Sequence, residues 1–173
     1  TQQQSFDEKF ISYLENFVRK DDRAALAHLR RGLGRENAAE MFPYLAGWTA
    51  NLCRSEQKAY FLVASLIGLY PTNSWKGDEK HNNLGKSLSF LQAESDSIEK
   101  RFVALLNADE EDLPNHLRQI VSLLKSKEAP VNWLQLLRDI RYWNNEKNNV
   151  QRSWAKGFWG NLTESIEKGE EKQ

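Results

Sequence analysis

The sequence is poor in cysteine, in long apolar runs and in net charge. Cys53 is the one cysteine among 173 residues, which excludes internal disulfides and favours a reducing compartment such as the cytoplasm. The longest apolar stretch, 59–70, is interrupted by Ser65 and Gly68 and is shorter than the roughly 18 residues of a membrane span. The first residues do not resemble a secretory signal. These absences predict a cytoplasmic protein without membrane contact.

The charges cancel overall but are distributed unevenly. With 24 basic and 24 acidic residues, overall electrostatics favour no partner. Residues 71–112 carry five basic and nine acidic side chains, whereas residues 113–160 carry eight and three. This asymmetry permits a basic, nucleic-acid-binding face in the C-terminal half without establishing one.

Apolar residues recur at helical spacing, and no segment alternates as a strand does. The pattern predicts an all-α fold of about eight or nine helices in two packed helical bundles. Ser55 is the expected cap of the long central helix, and Asp96 with Glu99 has capping-box spacing. Helices are expected over residues 5–20, 56–70, 84–91, 133–144 and 150–166, with others starting after Asp22, at Pro43, at Asp96 and at Leu113.

The stretch 71–83 is the best candidate for a boundary. It is rich in Pro, Asn, Ser, Gly and Asp around Trp75, which is typical of a long, mobile connection. The expected division is an N-terminal bundle, 1–75, and a C-terminal bundle, 84–173, joined by a loop, 76–83, within one compact unit.

Residues that catalysis or metal binding would need form no constellation. His28, His81 and His116 are far apart, and none has the i, i+4 partner of a helical zinc site. Cys53 beside an apolar helix is typical of a small core residue rather than a nucleophile. We therefore expect no enzyme activity, no metal and no cofactor. A small hydrolase would require the three histidines to converge.

Basic side chains, by contrast, recur near helix ends and on polar faces. No zinc knuckle or helix-turn-helix pattern accompanies them, so their contacts would be to a nucleic-acid backbone. Asn144–Asn149 adds amides that can donate to phosphate or sugar oxygens. For any one of these residues, a solvated surface charge is the simpler interpretation. The candidates are Arg30, Arg31, Arg54, Lys86, Arg101, Arg118, Arg141, Lys147 and Arg152.

The stretch Ala24–Arg35 shows that a single motif does not distinguish a helix end from a phosphate-binding site. It ends in three arginines next to Gly32 and Gly34. Helices commonly end at glycine, and cations in the last turn complement the helix dipole. An arginine fork at a helix end also suits bidentate contacts with phosphate. Both interpretations are compatible with these residues.

The order of short motifs from about Phe10 to Trp159 is more specific. These motifs are Leu29-Arg30-Arg31-Gly32, Phe61-Leu62-Val63-Ala64, Asn83-Leu84-Gly85-Lys86-Ser87-Leu88, Glu99-Lys100-Arg101-Phe102, Leu137-Arg138-Asp139-Ile140 and Trp154-Ala155-Lys156-Gly157-Phe158-Trp159. In this order and spacing they resemble CasB, the small subunit of the type I-E CRISPR Cascade surveillance complex.

The resemblance implies an all-α, non-catalytic protein present as two copies in the effector complex. Its partners would be the backbone and large subunits of Cascade, the crRNA and the target DNA including the displaced strand. It would help to hold the guide–target hybrid and the displaced strand, and so stabilise the R-loop. Because R-loop formation is nearly balanced in energy in a different guided effector, modest phosphate contacts can favour it.

The resemblance also assigns individual residues. Arg31 matches an arginine of the family's Arg-Arg pair implicated in backbone contact, and Arg54 matches a position used for the displaced strand. Residues 76–83 are more acidic than expected of a strand-binding loop, and the chain is neutral overall whereas several relatives are basic. The other family basic positions fall on Lys86, Arg101, Arg118 and, in a loosely matched C-terminal stretch, on Lys147 or Arg152.

A second interpretation is a helical protein–protein adaptor without nucleic-acid binding. Six tryptophans favour aromatic anchors at interfaces, and Trp75 and Trp159 are the candidates. Such an adaptor would show no DNA affinity at low salt, and its binding to partners would survive high salt.

Overall fold

The computed structural model describes residues 3–33, 35, 38–75 and 82–170, of which 161–170 are described by their backbone alone. Within these ranges the chain is helical and contains no strand, which confirms the all-α prediction. No helix there is long and apolar enough to cross a membrane. The helices are α1 (Phe6–Arg19), α2 (Arg23–Arg30), a 3₁₀ turn (Ala39–Met41), α3 (Phe42–Thr49), α4 (Arg54–Leu69), α5 (Leu84–Ser89), α6 (Asp96–Leu106), α7 (Leu113–Ser126), α8 (Trp133–Arg141) and α9 (Asn149–Glu170).

The predicted start of α4 is wrong by two residues. Cys53, not Ser55, is the N-cap, because its backbone is extended and the Glu56 carboxylate accepts a hydrogen bond from its N–H at 3.4 Å. Cys53 is exposed, so its assignment to the core is also wrong. The acidic residue of the first turn selects the cap three positions before it.

Other boundaries also differ from the expectation. Ser95 caps α6, since its hydroxyl accepts a hydrogen bond from the N–H of Ser97 at 3.1 Å, whereas Asp96 already lies within the helix. α8 ends at Arg141, three residues early, and α9 continues to Glu170. Helix ends depend on local capping as well as on periodicity, which explains these differences.

α4 is the central helix, as the sequence predicts. It contacts α2, α3, α7 and α8, and Tyr60, Val63 and Leu66 along it are buried. α8 also packs on α1, α5 on α9, and α6 on α7. The apolar core is continuous from Phe10 on α1 to Phe158 on α9. The two predicted bundles therefore share a core, and the division between them stays a prediction.

The segment after α4 is held in place as far as Trp75. The Trp133 indole donates to the Thr72 carbonyl at 2.9 Å, the Trp75 N–H donates to the Val131 carbonyl at 2.9 Å, and the Ser74 N–H donates to the Glu15 carboxylate at 2.5 Å. The prediction of a mobile connection is therefore wrong for 71–75. Residues 76–81 lie outside the described part of the chain.

Candidate nucleic-acid interface

α6 and α7 form an antiparallel hairpin that carries an open groove. α6 ends at Leu106 and α7 begins at Leu113. Arg101 and Arg118 are each five residues from the connection, so they lie at the same level on neighbouring helices. Both are exposed and line the groove, which has a volume of about 760 Å³. The structure thus brings together two predicted residues from separate motifs.

The rest of this groove, which we call the arginine groove, is uncharged and, apart from Leu123, polar. Within the described ranges no carboxylate lines it, and neither arginine takes part in the ion pairs formed there. Two unneutralised guanidinium groups beside hydroxyls and amides suit a phosphate-bearing ligand. The other lining residues are Asn115, Gln119, Ser122, Leu123 and Ser126.

A second groove, of about 650 Å³, lies where α6 ends and α9 begins. We call it the amide groove. Arg152 is its one cation, and the linker 144–148 contributes amides, as predicted from the sequence. Its shape depends on two bonds to Trp143, whose indole donates to the Ala108 carbonyl and whose carbonyl accepts from the Gln151 amide, both at 2.9 Å. Glu146 also lines this groove, so its charge is mixed.

The basic residues of the N-terminal half are separated from one another. Arg30 and Arg31 are exposed at the end of α2, and Arg54 is exposed at the start of α4. Gly68 lies against the backbone of Arg30 and is fourteen residues after Arg54 along α4. At about 1.5 Å per residue, Arg54 is about 20 Å from the Arg30–Arg31 pair. The structure does not bring these candidates together.

Two further candidates lie in the C-terminal half. Lys147 is exposed in the linker before α9. Lys86 is half-buried on α5, and its ammonium is 5.7 Å from the centre of the Phe90 ring.

Arg141 differs from the expectation of a free cation. Its guanidinium donates to Asp7 on α1 and to Glu56 on α4, each at 2.9 Å, and its side chain is 23% exposed. Tyr60 donates to the same Asp7 carboxylate, and burial followed by this bond raises the pKa of Tyr60. Arg141 therefore joins α1, α4 and α8 and is not part of either groove.

A buried carboxylate supports the start of α9. Asp139 accepts hydrogen bonds from the Trp154 indole at 2.6 Å and from the Gln135 amide at 2.8 Å. Trp154 packs on Trp143, with ring centres 5.1 Å apart. Burial raises the pKa of Asp139 to about 6, although both hydrogen bonds and Arg138 oppose this shift.

We expect Asp139 to make the protein less stable as the pH rises from about 4 to 6. In this range the folded chain keeps a proton that the unfolded chain has lost, so the free energy of unfolding falls with pH. Asp139→Asn keeps an acceptor for Trp154 and removes the titration. The free energy of unfolding of this variant, measured with urea and compared with that of the parent, should rise by about 2 kcal/mol between pH 4.5 and pH 7. If the free energies of unfolding of Asp139→Asn and the parent differ by the same amount at pH 4.5 and at pH 7, the raised pKa of Asp139 is wrong.

The two histidines that the structure describes, His28 and His116, lie on different helices, α2 and α7. His28 Nδ1 lies 3.0 Å from the Tyr44 hydroxyl, His116 is on α7, and His81 lies outside the described residues. Among the residues that are described, no three His, Cys, Asp or Glu side chains are grouped as metal ligands.

Sequence reasoning missed the polar side of the arginine groove. Asn115, Gln119, Ser122 and Ser126 recur at three or four residues along α7, which places them on one face with Arg118. The sequence does show these residues as a polar stripe on α7, opposite the apolar stripe of the same helix. It was not associated with Arg101 because that residue lies on another helix.

Fold and surface together define a class: an all-helical protein whose exposed, unpaired arginines line open grooves. The family model for the CRISPR-associated protein Cse2 matches residues 25–159. A CRISPR-associated protein Cse2 from Thermus thermophilus is 31% identical over 169 residues, covering 95% of this chain and 96% of the relative. The chain belongs to the Cse2 family of CRISPR-associated proteins.

Solved structures agree with this family. CasB from M. ruber is similar with a TM-score of 0.77 and 32% identity, over 95% of this chain and 98% of that protein. A chain of a CRISPR RNA-guided surveillance complex has the same fold, with a TM-score of 0.75 and 21% identity over 95% of this chain and 97% of that chain. The resemblance to CasB stated from the sequence is confirmed.

Proposed function

We propose that this chain is a non-catalytic subunit of a CRISPR RNA-guided surveillance complex of the Cascade type. Within it the chain binds nucleic-acid backbones and stabilises the guide–target hybrid and the displaced strand of the R-loop. Its partners are the backbone and large subunits, a second copy of itself, the crRNA and the target DNA. The family match and the shared fold of a surveillance-complex chain support this proposal.

The arginine groove is the observation on which nucleic-acid binding rests. Because two packed helices fix the backbones of Arg101 and Arg118 level with each other, only the two side chains have to be ordered when the pair binds phosphates. No carboxylate among the described residues lines it, so no lining group opposes its two positive charges, whereas Glu146 lines the amide groove beside Arg152. The lining hydroxyls and amides can donate to further phosphate oxygens. None of these groups is arranged to distinguish one base from another, so binding should be independent of sequence.

Reversing both groove arginines, in Arg101→Glu/Arg118→Glu, should weaken binding of the chain to duplex DNA. The loss of two phosphate contacts should also reduce the log–log salt slope by roughly 1.8 units. In the assembled complex the same variant should form R-loops less completely. Fluorescence anisotropy at several salt concentrations measures the first two effects, and a footprinting assay measures the third.

The matched control is Arg19→Glu/Arg23→Glu, which changes the net charge equally on α1 and α2. Arg19 is exposed, and Arg23 is paired with Asp21 at the surface. If the control lowers DNA affinity as much as the groove variant, binding reflects net charge and the groove is not the site. If the parent has no affinity for DNA at low salt but assembles with its partners, the adaptor interpretation is correct.

A further inference from the structure

Phe90 is a half-exposed aromatic ring with a cation over it. It follows the last residue of α5 and is 51% exposed. Trp75 packs its ring edge-on, with centres 5.6 Å apart and planes at 69°. The Lys86 ammonium, one helical turn earlier, is 5.7 Å from the centre of the Phe90 ring.

The elements that carry these three residues are anchored. Trp75 is fixed by its hydrogen bond to Val131 at 2.9 Å. α5 lies directly against α9, where the Asn83 amide donates to the Ser153 carbonyl at 3.0 Å and Gly85 touches the backbone of Trp154. A ring held this way loses little entropy when a ligand stacks on it.

Other exposed rings lack this combination. Phe42 is 44% exposed and packs edge-on against Phe61, much as Phe90 packs against Trp75. Within the described residues, cations lie over two rings, Phe90 and the buried Tyr60. Phe90 is thus the exposed ring that offers both an apolar surface and a nearby positive charge.

We propose that Phe90, with Trp75 packed against it and the Lys86 ammonium over its ring, is a stacking platform for an unpaired nucleobase. This rests on the proposed function and adds a second kind of contact to it. Single-stranded nucleic acids are commonly held by an aromatic side chain that stacks on a base and a cation that meets the phosphates. Bases inside a duplex are already stacked, so the ligand is a single-stranded segment.

The test compares a labelled oligothymidylate with an equally long abasic phosphodiester, using the full chain at one low salt concentration. Phe90→Ala should bind the oligothymidylate about tenfold more weakly and bind the abasic chain as the parent does. Phe90→Tyr keeps a ring and should restore parental binding. Phe42→Ala removes a ring of similar exposure and should change the binding of neither oligonucleotide. Equal melting temperatures show that the variants are folded.

Each other outcome overturns the proposal. If Phe90→Ala binds both oligonucleotides like the parent, the ring does not stack a base, although the proposed function stands. If Phe90→Ala binds both oligonucleotides more weakly by the same factor, the ring again does not stack a base, since a purely structural effect would not depend on the presence of bases. If Phe90→Ala alters only assembly with protein subunits, the ring is a protein contact. If the parent binds neither oligonucleotide, the stacking platform is wrong, and the duplex-DNA measurement on the arginine groove decides the proposed function separately.

Discussion

Gly85→Ala is expected to destabilise the protein by about 3 kcal/mol or more. A methyl group at Gly85 would overlap the backbone of Trp154 on α9, which cannot rotate away as a side chain can. α5 and α9 would have to separate, and this exceeds ordinary overpacking, which costs about 1–3 kcal/mol. The gain in helix propensity, up to about 1 kcal/mol, offsets only part of this. Chemical denaturation measures the effect.

Gly47→Ala is the matched control. Gly47 is also within a helix, but apart from its own turn of helix no atom lies within 4 Å of where its Cβ would be. The same substitution should there stabilise the protein by about 0.5–1 kcal/mol. If the stability changes of the two variants have opposite signs, the contact between α5 and α9, and not the loss of a glycine, determines the effect of Gly85→Ala. A stable Gly85→Ala variant would mean that α5 does not lie against α9 as described.

Arg141→Ala is expected to cost about 3 kcal/mol. It removes one cation that serves two carboxylates, and Asp7, whose side chain is 14% exposed, would remain largely desolvated. Leaving such a group unpaired is more costly than the ion pair is stabilising. Because Arg141 and a bond to Cys53 lower the pKa of Glu56, the Glu56 part of this effect should diminish as the pH falls below the ordinary Glu range.

Arg23→Ala is the comparison for Arg141. The Arg23–Asp21 pair is almost fully exposed, at 87% and 72%, and such pairs contribute about 0–1 kcal/mol. Arg141→Ala/Asp7→Asn should recover part of the stability lost in Arg141→Ala, since one orphaned charge is removed. If Arg141→Ala costs no more than Arg23→Ala, the three-helix contact is not important for stability.

Much of the fold follows from the local sequence. The apolar stripe of α1, the apolar helix α4 and the Trp-rich α9 are each visible as a periodic pattern, and periodicity depends only on neighbours along the chain. The starts of α4 and α6 were misplaced by one or two residues, because a favourable cap residue near a helix start does not determine which residue takes the extended cap conformation. Backbone conformation, not residue preference, decided between Cys53 and Ser55.

The candidate site was only partly predictable. Arg101 and Arg118 were both named from the sequence, but their pairing depends on the register of the α6–α7 hairpin. Arg141 carries the same charge and was named for the same reason, yet it is occupied by carboxylates from α1 and α4. Formal charge is a property of the residue, whereas the availability of that charge depends on what lies opposite it.

By itself, the sequence determined that this protein is all-α, that α4 is central and that its motifs resemble CasB. These conclusions need only side-chain type and spacing. The tertiary structure decided which cations face solvent, that 71–75 is held by Trp133 and Val131, and that Phe90 lies beside Trp75 and Lys86. Those outcomes depend on contacts between residues far apart in the chain, and helical periodicity does not specify such contacts.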